Sequence, residues 1–400
     1  TAGWTSFIEH AEGQTYSVRV GVTAGTEPTL AVADSKGWER ARLERAAFAN
    51  LSASTQQAQY VIITHSSLQQ QAERLAQHRA NHSNVSTMIV DVASIIDEFG
   101  AGRRSPFAIR EWLRHLYTTS AVQPQWLLLV GNASWDPRLA APKGNVGSVR
   151  PDLVPTYGRP SSDYWYGLLD DPNDAIITEL QVGRIPAVDA QEAQNHIDKI
   201  IYSDTTMFET WMRRWLFVGG GNESEGLCDI YNDLLTDPFG TGITFTDAPI
   251  CLDTTTLCKY RSGIAPGFQL RRTISDGIQW MNFIGHGATT DFDIEGWNAS
   301  DLTNHGRYGI LATYACQTGS FSNPSRRCKN ADYLVEPGKG FAAAAGGTGW
   351  EFIENVNALH FANHFAVRDG LRNLGDIVYS AKYSLASRGT RDGLNTAYQY

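Results

Sequence analysis

The sequence predicts an α/β chain: two α/β subdomains with mostly parallel sheets flanked by helices, preceded by a short β-type N-terminal segment. Three observations carry this. Short apolar runs of strand length recur, as in YVIITH, QWLLLVG, RWLFVGG and IQWMNFIG. Stretches of helical composition separate them, and that alternation belongs to parallel sheets with helices on their faces. The 400 residues, 42% hydrophobic and 19% charged, are a globular composition too long for one minimal core.

Residues 1–55 read as the tail of an upstream β module and a linker. TYSVRVGVT and TLAVAD alternate like strands, and ARLERAAFANLSAS is polar and helix-like. The first subdomain spans 56–205. YVIITH is a buried strand, and SLQQQAERLAQHRANH a helix opened by a serine cap. STMIVDV is a strand, SPFAIREWLRHLYTT a helix begun by Ser105 and Pro106, and QWLLLVG a strand. A loop over about 132–175, rich in Pro, Gly, Asp and Tyr, is long enough to imply function or a bound group. AIITELQVGRIP and the helix DAQEAQNHIDKIIYSD close this half. The second subdomain, 206–400, repeats the alternation: strand RWLFVGG, helix near 227–236, strand GITFT, helix FQLRRTISDG, strands IQWMNFIG, YGILATYA and GFAAAAGG, then two helices.

The formal net charge of −9 and the lack of a basic stripe argue against a nucleic-acid partner, whose phosphates need clustered Lys and Arg. No apolar run reaches bilayer length. The chain starts at Thr1 rather than Met, as a trimmed product would, so a missing leader says nothing about secretion. Of five cysteines, Cys251 and Cys258 flank what reads as a short polar loop, CLDTTTLC. They are either a local disulfide or two unpaired thiols, and the odd total leaves at least one thiol free.

Two strand ends carry chemistry. WMNFI runs to Gly285-His286-Gly287, and GILATYA runs to Cys316. Functional groups collect at the carboxyl ends of strands in open α/β sheets. If the two strands pair, an imidazole and a thiol come within reach, and the imidazole can take the thiol proton. Gly287 leaves its N–H unshielded, so with the N–H of Cys316 it can form an oxyanion hole. Taken singly, a His beside Gly is a turn residue and a Cys after an apolar run is core. Their joint placement makes a dyad an equal alternative to those readings. The glycines of FVGGGNESEGLCD also suggest a dinucleotide loop, but the G-x-G-x-x-G spacing fails at its last position and two acids would repel a pyrophosphate. Asp170, Asp171, Asp174 and Glu179 form one acidic cluster, and Asp291, Asp293 and Glu295 a second. Each is either a calcium site or a solvated turn.

FIGHG followed by YACQTGSF resembles the gingipain family of cysteine peptidases. YVIITH, FGAGRRSPFAIREWLRHLY, WLLLVGNASWDP, VPTYG, SSDYWYG and VGRIP with IDKIIYSD resemble that family's catalytic domain in the same order. The resemblance implies a caspase-like fold and a secreted or cell-surface cysteine endopeptidase with Cys316 as nucleophile and His286 as base. It implies a protein or peptide substrate, no catalytic cofactor, structural calcium, and other domains of a larger precursor as partners. The family also includes a surface sortase, so a transpeptidase using the same dyad is the first alternative. A non-catalytic caspase-like binding or scaffold module is the alternative of another class. Family members orient the histidine with an acid on the loop after the first strand of the second subdomain. Glu223 is the first candidate, with Asn222 and Glu225 competing. Asp229 resembles the aspartate at the base of the specificity pocket in arginine-specific members, and Trp350 the aromatic that walls it. Asp229 is otherwise an ordinary acid at a helix start, and Trp350 ordinary packing.

Overall fold

The computed structural model describes Ser6–His10, Tyr16–Val20, residues 48–53, 57–137, 150–170, 177–222, 225–230, 252–260, 266–294, 296–387, and positions 394, 397 and 399. Within the unit Thr1–Ala46, β1 (Ser6–His10) and β2 (Tyr16–Val20) pair antiparallel, Ser6 opposite Val20 and His10 opposite Tyr16. Ala47–Tyr400 is a second compact unit holding two sheets.

The first sheet has the order β4-β3-β5-β6, all parallel: β3 (Tyr60–Thr64), β4 (Thr87–Asp91), β5 (Trp126–Val130) and β6 (Gln181–Ile185). Period-two alternation decides which helices cover it. Val61 and Ile63 join Leu127 and Leu129 on one face, under Ile95 and Ile96 of α2 (Val92–Phe99) and Ile109, Trp112 and Leu113 of α3 (Pro106–Thr119). Ile62 faces the other way, under Ala72 and Leu75 of α1 (Gln69–His82) and Ala193 and Ile197 of α4 (Ala190–Thr205). Ser105 caps α3 as expected, its side chain accepting from the Phe107 N–H at 3.2 Å. Helix α2 has no counterpart in the sequence reading. Asp91 ends β4 and caps α2 at once, so strand and helix abut with no loop to announce the change.

The second sheet has the order β11-β10-β9-β7-β8, again all parallel: β7 (Arg214–Gly219), β8 (Asp253–Cys258), β9 (Trp280–Ile284), β10 (Ile310–Tyr314) and β11 (Ala343–Gly346). Leu216, Val218, Met281, Phe283 and Leu311 pack with α5 (Pro266–Ser275) and α6 (Lys329–Val335). Phe217, Trp280, Ile284 and Tyr314 pack with α7 (Ile353–Arg368) and α8 (Leu374–Ala386). Residues 253–258, read as a loop, are an edge strand. Asp253, Thr254 and Thr255 are exposed there, so the segment lacks an apolar face. The expected strand GITFT lies outside the described residues.

Helix α4 joins the two sheets. Asn195 Nδ2 donates to the Val335 carbonyl at 3.0 Å, and the buried Lys199 Nζ donates to Tyr333 and Lys339 carbonyls at 2.7 and 2.8 Å. The described parts of the long loop dock on the segment after β10. Trp135 N–H donates to Ser322 O at 3.0 Å, and Arg150 N–H to Pro324 O at 2.8 Å. These contacts hold the described parts of the loop against the segment that follows Cys316. No described helix is long and apolar enough to cross a membrane.

Candidate active site

Strands β9 and β10 are neighbours, and their register pairs Trp280 with Ile310 and Ile284 with Tyr314. His286 and Cys316 each stand two residues past that last pair. They therefore leave the sheet at equivalent steps on its carboxyl edge. Gly287 presses the two turns together. A Cβ there would lie 2.7 Å from Thr318 Cγ2 and 2.9 Å from both Ala315 Cβ and the Cys316 carbonyl oxygen. A Cβ at Gly285 would lie 2.7 Å from Phe283 Cζ and 3.0 Å from Gly220 Cα. The Gly-His-Gly triplet is thus a close-packing requirement. Gly287 also faces Phe292 in an antiparallel bridge whose hydrogen bonds run from Ala288 N–H and Asp293 N–H. The Gly287 N–H lies outside that pair.

The turn after β10 is held at each step. Gln317 takes φ +59°, a left-handed backbone costing a side-chain-bearing residue about 1–2 kcal/mol. Its N–H donates to Gly349 O at 2.8 Å, and Gly319 N–H donates to Gly347 O at 2.9 Å. The hydroxyls of the buried Thr313 and Thr318 meet at 2.7 Å beneath it. Cys316 is half-buried, and its sulfur accepts from the Glu351 N–H at 3.3 Å. Cys328, the other free cysteine among the described residues, is buried, and burial pushes its thiol up to about 11. A thiol with so little thiolate is inert.

A carboxylate holds the imidazole. His286 Nε2 lies 3.1 and 3.3 Å from the two Glu225 oxygens. Glu225 Oε2 also accepts from the Asn222 N–H at 2.6 Å. That backbone donor first, and His286 second, hold the Glu225 carboxyl below its ordinary range. An ionised carboxylate only accepts, so Nε2 carries the proton and Nδ1 presents its lone pair. Glu223 lies outside the described residues; the acid brought to the ring is its competitor, Glu225. Sequence spacing left three candidates open, because the turn that selects Glu225 depends on Gly221 and Gly226, at φ +73° and +63°. The sequence reading also missed Gln317, whose N–H holds the turn, and Glu351, whose N–H meets the sulfur; both act through backbone groups that any residue possesses.

The Gly219–Gly221 run serves packing as well. A Cβ at Gly220 would collide with Asp293 Oδ1, while Asp293 Oδ2 accepts from the Gly221 N–H at 2.6 Å and pairs with Lys259 Nζ at 3.4 Å. Lys259 is the cation beside Asp293 Oδ2, and Oδ1 is buried without a hydrogen-bond partner among the described residues. Asp291 accepts from Thr290 Oγ1 at 2.8 Å. Glu295, Asp171 and Asp174 lie outside the described residues. Asp170 is exposed, and Glu179 Oε2 accepts from the Leu169 N–H at 2.5 Å.

Cys258 is bonded to Cys228, with Cα atoms 5.8 Å apart, and not to Cys251, which lies outside the described residues. The expected local loop is a strand, so its two ends point away from each other along the chain. The bridge instead ties the end of β8 to the helical turn 227–230 that follows Glu225. Asp229 lies exposed in that turn and lines a shallow depression with Gly220, Asn222, Leu227 and Tyr260. Trp350 is 74% exposed, immediately before the Glu351 that touches Cys316. It is therefore not a core side chain.

Residues 53–400 match the profile of peptidase family C25. Among solved structures, the chain is similar to the Arg-specific cysteine proteinase gingipain R (RgpB), with TM-score 0.64, 17% identity, and 85% of this chain and 76% of that chain covered. It is also similar to the complex of Porphyromonas gingivalis RgpB pro- and mature domains, with TM-score 0.65, 16% identity, and coverage of 86% and 77%. These likenesses establish the gingipain, caspase-like fold. No curated protein matched.

Proposed function

The chain belongs to peptidase family C25 and is a cysteine peptidase; from this premise we propose a secreted or cell-surface endopeptidase working through a Cys316 thioester. One observation carries the reading: His286 and Cys316 leave adjacent strands at the same step, with Glu225 hydrogen-bonded to the imidazole through Nε2. His286 Nδ1 takes the thiol proton. The thiolate attacks the scissile carbonyl carbon, and the N–H groups of Gly287 and Cys316 hold the oxyanion. The tetrahedral species collapses, the C–N bond breaks, and His286 returns its proton to the departing amine. Water, deprotonated by His286, then hydrolyses the thioester. The His286 side chain is 68% exposed, which leaves the thioester open to an acceptor from solution, taken here to be water. The Cys228–Cys258 bridge suits an oxidising compartment.

Substrate is taken to lie across the Cys316 turn, with Trp350 as an exposed apolar wall and Asp229 as the nearby acid. The decisive experiment is digestion of a mixed-sequence peptide library, read by mass spectrometry. Internal cleavage by the wild-type chain and none by Cys316→Ala is expected. Equal products from both would overturn the proposal.

A further inference from the structure

We propose that His78, His82 and Asp204 form a site for one divalent borderline metal ion such as Zn2+, tying α1 to α4 away from the dyad. Among the described residues, this group brings three ligating atoms within 4.8 Å of one another. His78 and His82 sit four apart on the last turn of α1, so one helix face presents both rings. The rings are stacked, with centroids 5.1 Å apart. Asp204 comes from the last turn of α4, and its Oδ2 lies 2.8 Å from His78 Nε2. Two imidazoles and a carboxylate are the donor set that borderline ions take.

The geometry needs little rearrangement. Tetrahedral ligands at about 2.0 Å from zinc stand about 3.3 Å apart. The His78–Asp204 contact opens by about half an ångström as the ion replaces the shared proton, and His78 keeps its proton on Nδ1. His82 is exposed, so its side chain is free to close on the ion. His78 is only 10% exposed and Asp204 27%, so two of the three ligands are already held in place. Arg79 Nη1 also donates to Asp204 Oδ2, at 2.7 Å. It is the competing cation, and the second carboxylate oxygen is available to it when metal is bound.

A salt-bridge knot alone explains His78, Arg79 and Asp204, but it gives His82 no role. His82→Ala is therefore the discriminating variant, and its exposed position spares the fold. The test titrates Co2+ into the full chain, free of any histidine tag, in a Cys316→Ser background that removes the catalytic thiol as a ligand. One equivalent of Co2+ should bind with visible d–d absorption, be displaced by Zn2+, and raise the Tm as metal concentration rises. Loss of groups that merely orient ligands weakens metal affinity about 10- to 100-fold, so His82→Ala should weaken it at least about tenfold. Absence of a bound equivalent in the parent chain, or equal affinity in His82→Ala, would overturn the site.

Discussion

The two sheets of this chain share a parallel architecture but end differently at their carboxyl edges. In the first sheet, four polar side chains at or near that edge are committed to structure among the described residues. His65 caps the turn after β3 by accepting from the Ser67 N–H at 3.2 Å, and Asp91 caps α2. Asn132, past β5, is buried and donates to carbonyls at 2.7 and 2.8 Å. Arg184 is buried against Asp163 and donates to the Gly131 and Val154 carbonyls. In the second sheet, the equivalent edge carries an exposed imidazole and a half-buried thiol, packed together through glycine. On the proposed mechanism, one fold therefore supplies a supporting half, whose polar edge is tied into structure, and a reacting half, whose polar edge stays accessible.

Substitutions can break that contrast. Cys316→Ala should have the largest effect, lowering kcat/KM by at least about 10^4-fold while Tm stays level, because the proposed nucleophile's sulfur contacts are to the Glu351 backbone N–H and carbonyl, which the fold does not rest on. Arg184→Ala should do the reverse. It strands Asp163 as a buried charge and should cost about 3–5 kcal/mol in denaturant unfolding, with kcat of the folded fraction unchanged. If the first-half substitution lowers kcat as Cys316→Ala does, the division of labour fails.

Glu225→Gln sharpens the reacting half. It removes the anion that fixes the ring tautomer and should lower kcat about 10- to 100-fold with KM little changed. The pH dependence follows from the lowered Glu225 pKa. The stability it contributes is present above the ordinary carboxylate range and is lost as pH falls through the lower folded-state value. A Tm series toward acid should therefore show a shallower fall for Glu225→Gln than for the wild type. Identical slopes would show that the contact contributes nothing to folding. The smallest effect is expected at Asp229. Asp229→Asn should reduce cleavage after Arg about tenfold and leave cleavage after neutral residues level, if the depression receives a cationic side chain. Loss of Tm with preference intact would make Asp229 a helix-start acid only.

Where burial determines structure, the sequence is readable. All five residues of β9 are buried and four of five in β10, so their apolar runs mark both strands and the chemistry at their ends. Strand β8 is the counterexample. Its pairing with β7 comes from backbone groups, and Asp253, Thr254 and Thr255 face water, so no apolar run reports it. The misread strand is also why a local Cys251–Cys258 bridge stood as one of two options, when Cys258 is bonded to Cys228. The Glu225 contact was legible only as one of three options, because the left-handed glycines that close its turn set a direction and not a spacing. Gly285 and Gly287 were visible at once, but their packing role needed the neighbouring turn to be in place.

A protein-cutting enzyme is also exposed to its own kind. The Cys228–Cys258 bridge encloses a stretch of 30 residues by sequence separation, between the turn holding Glu225 and the edge of the catalytic sheet. Any single nick inside that stretch leaves the two fragments covalently joined. Self-digestion there should be silent: the nicked chain should migrate as one species until a reductant separates it, and keep its titratable active sites until then.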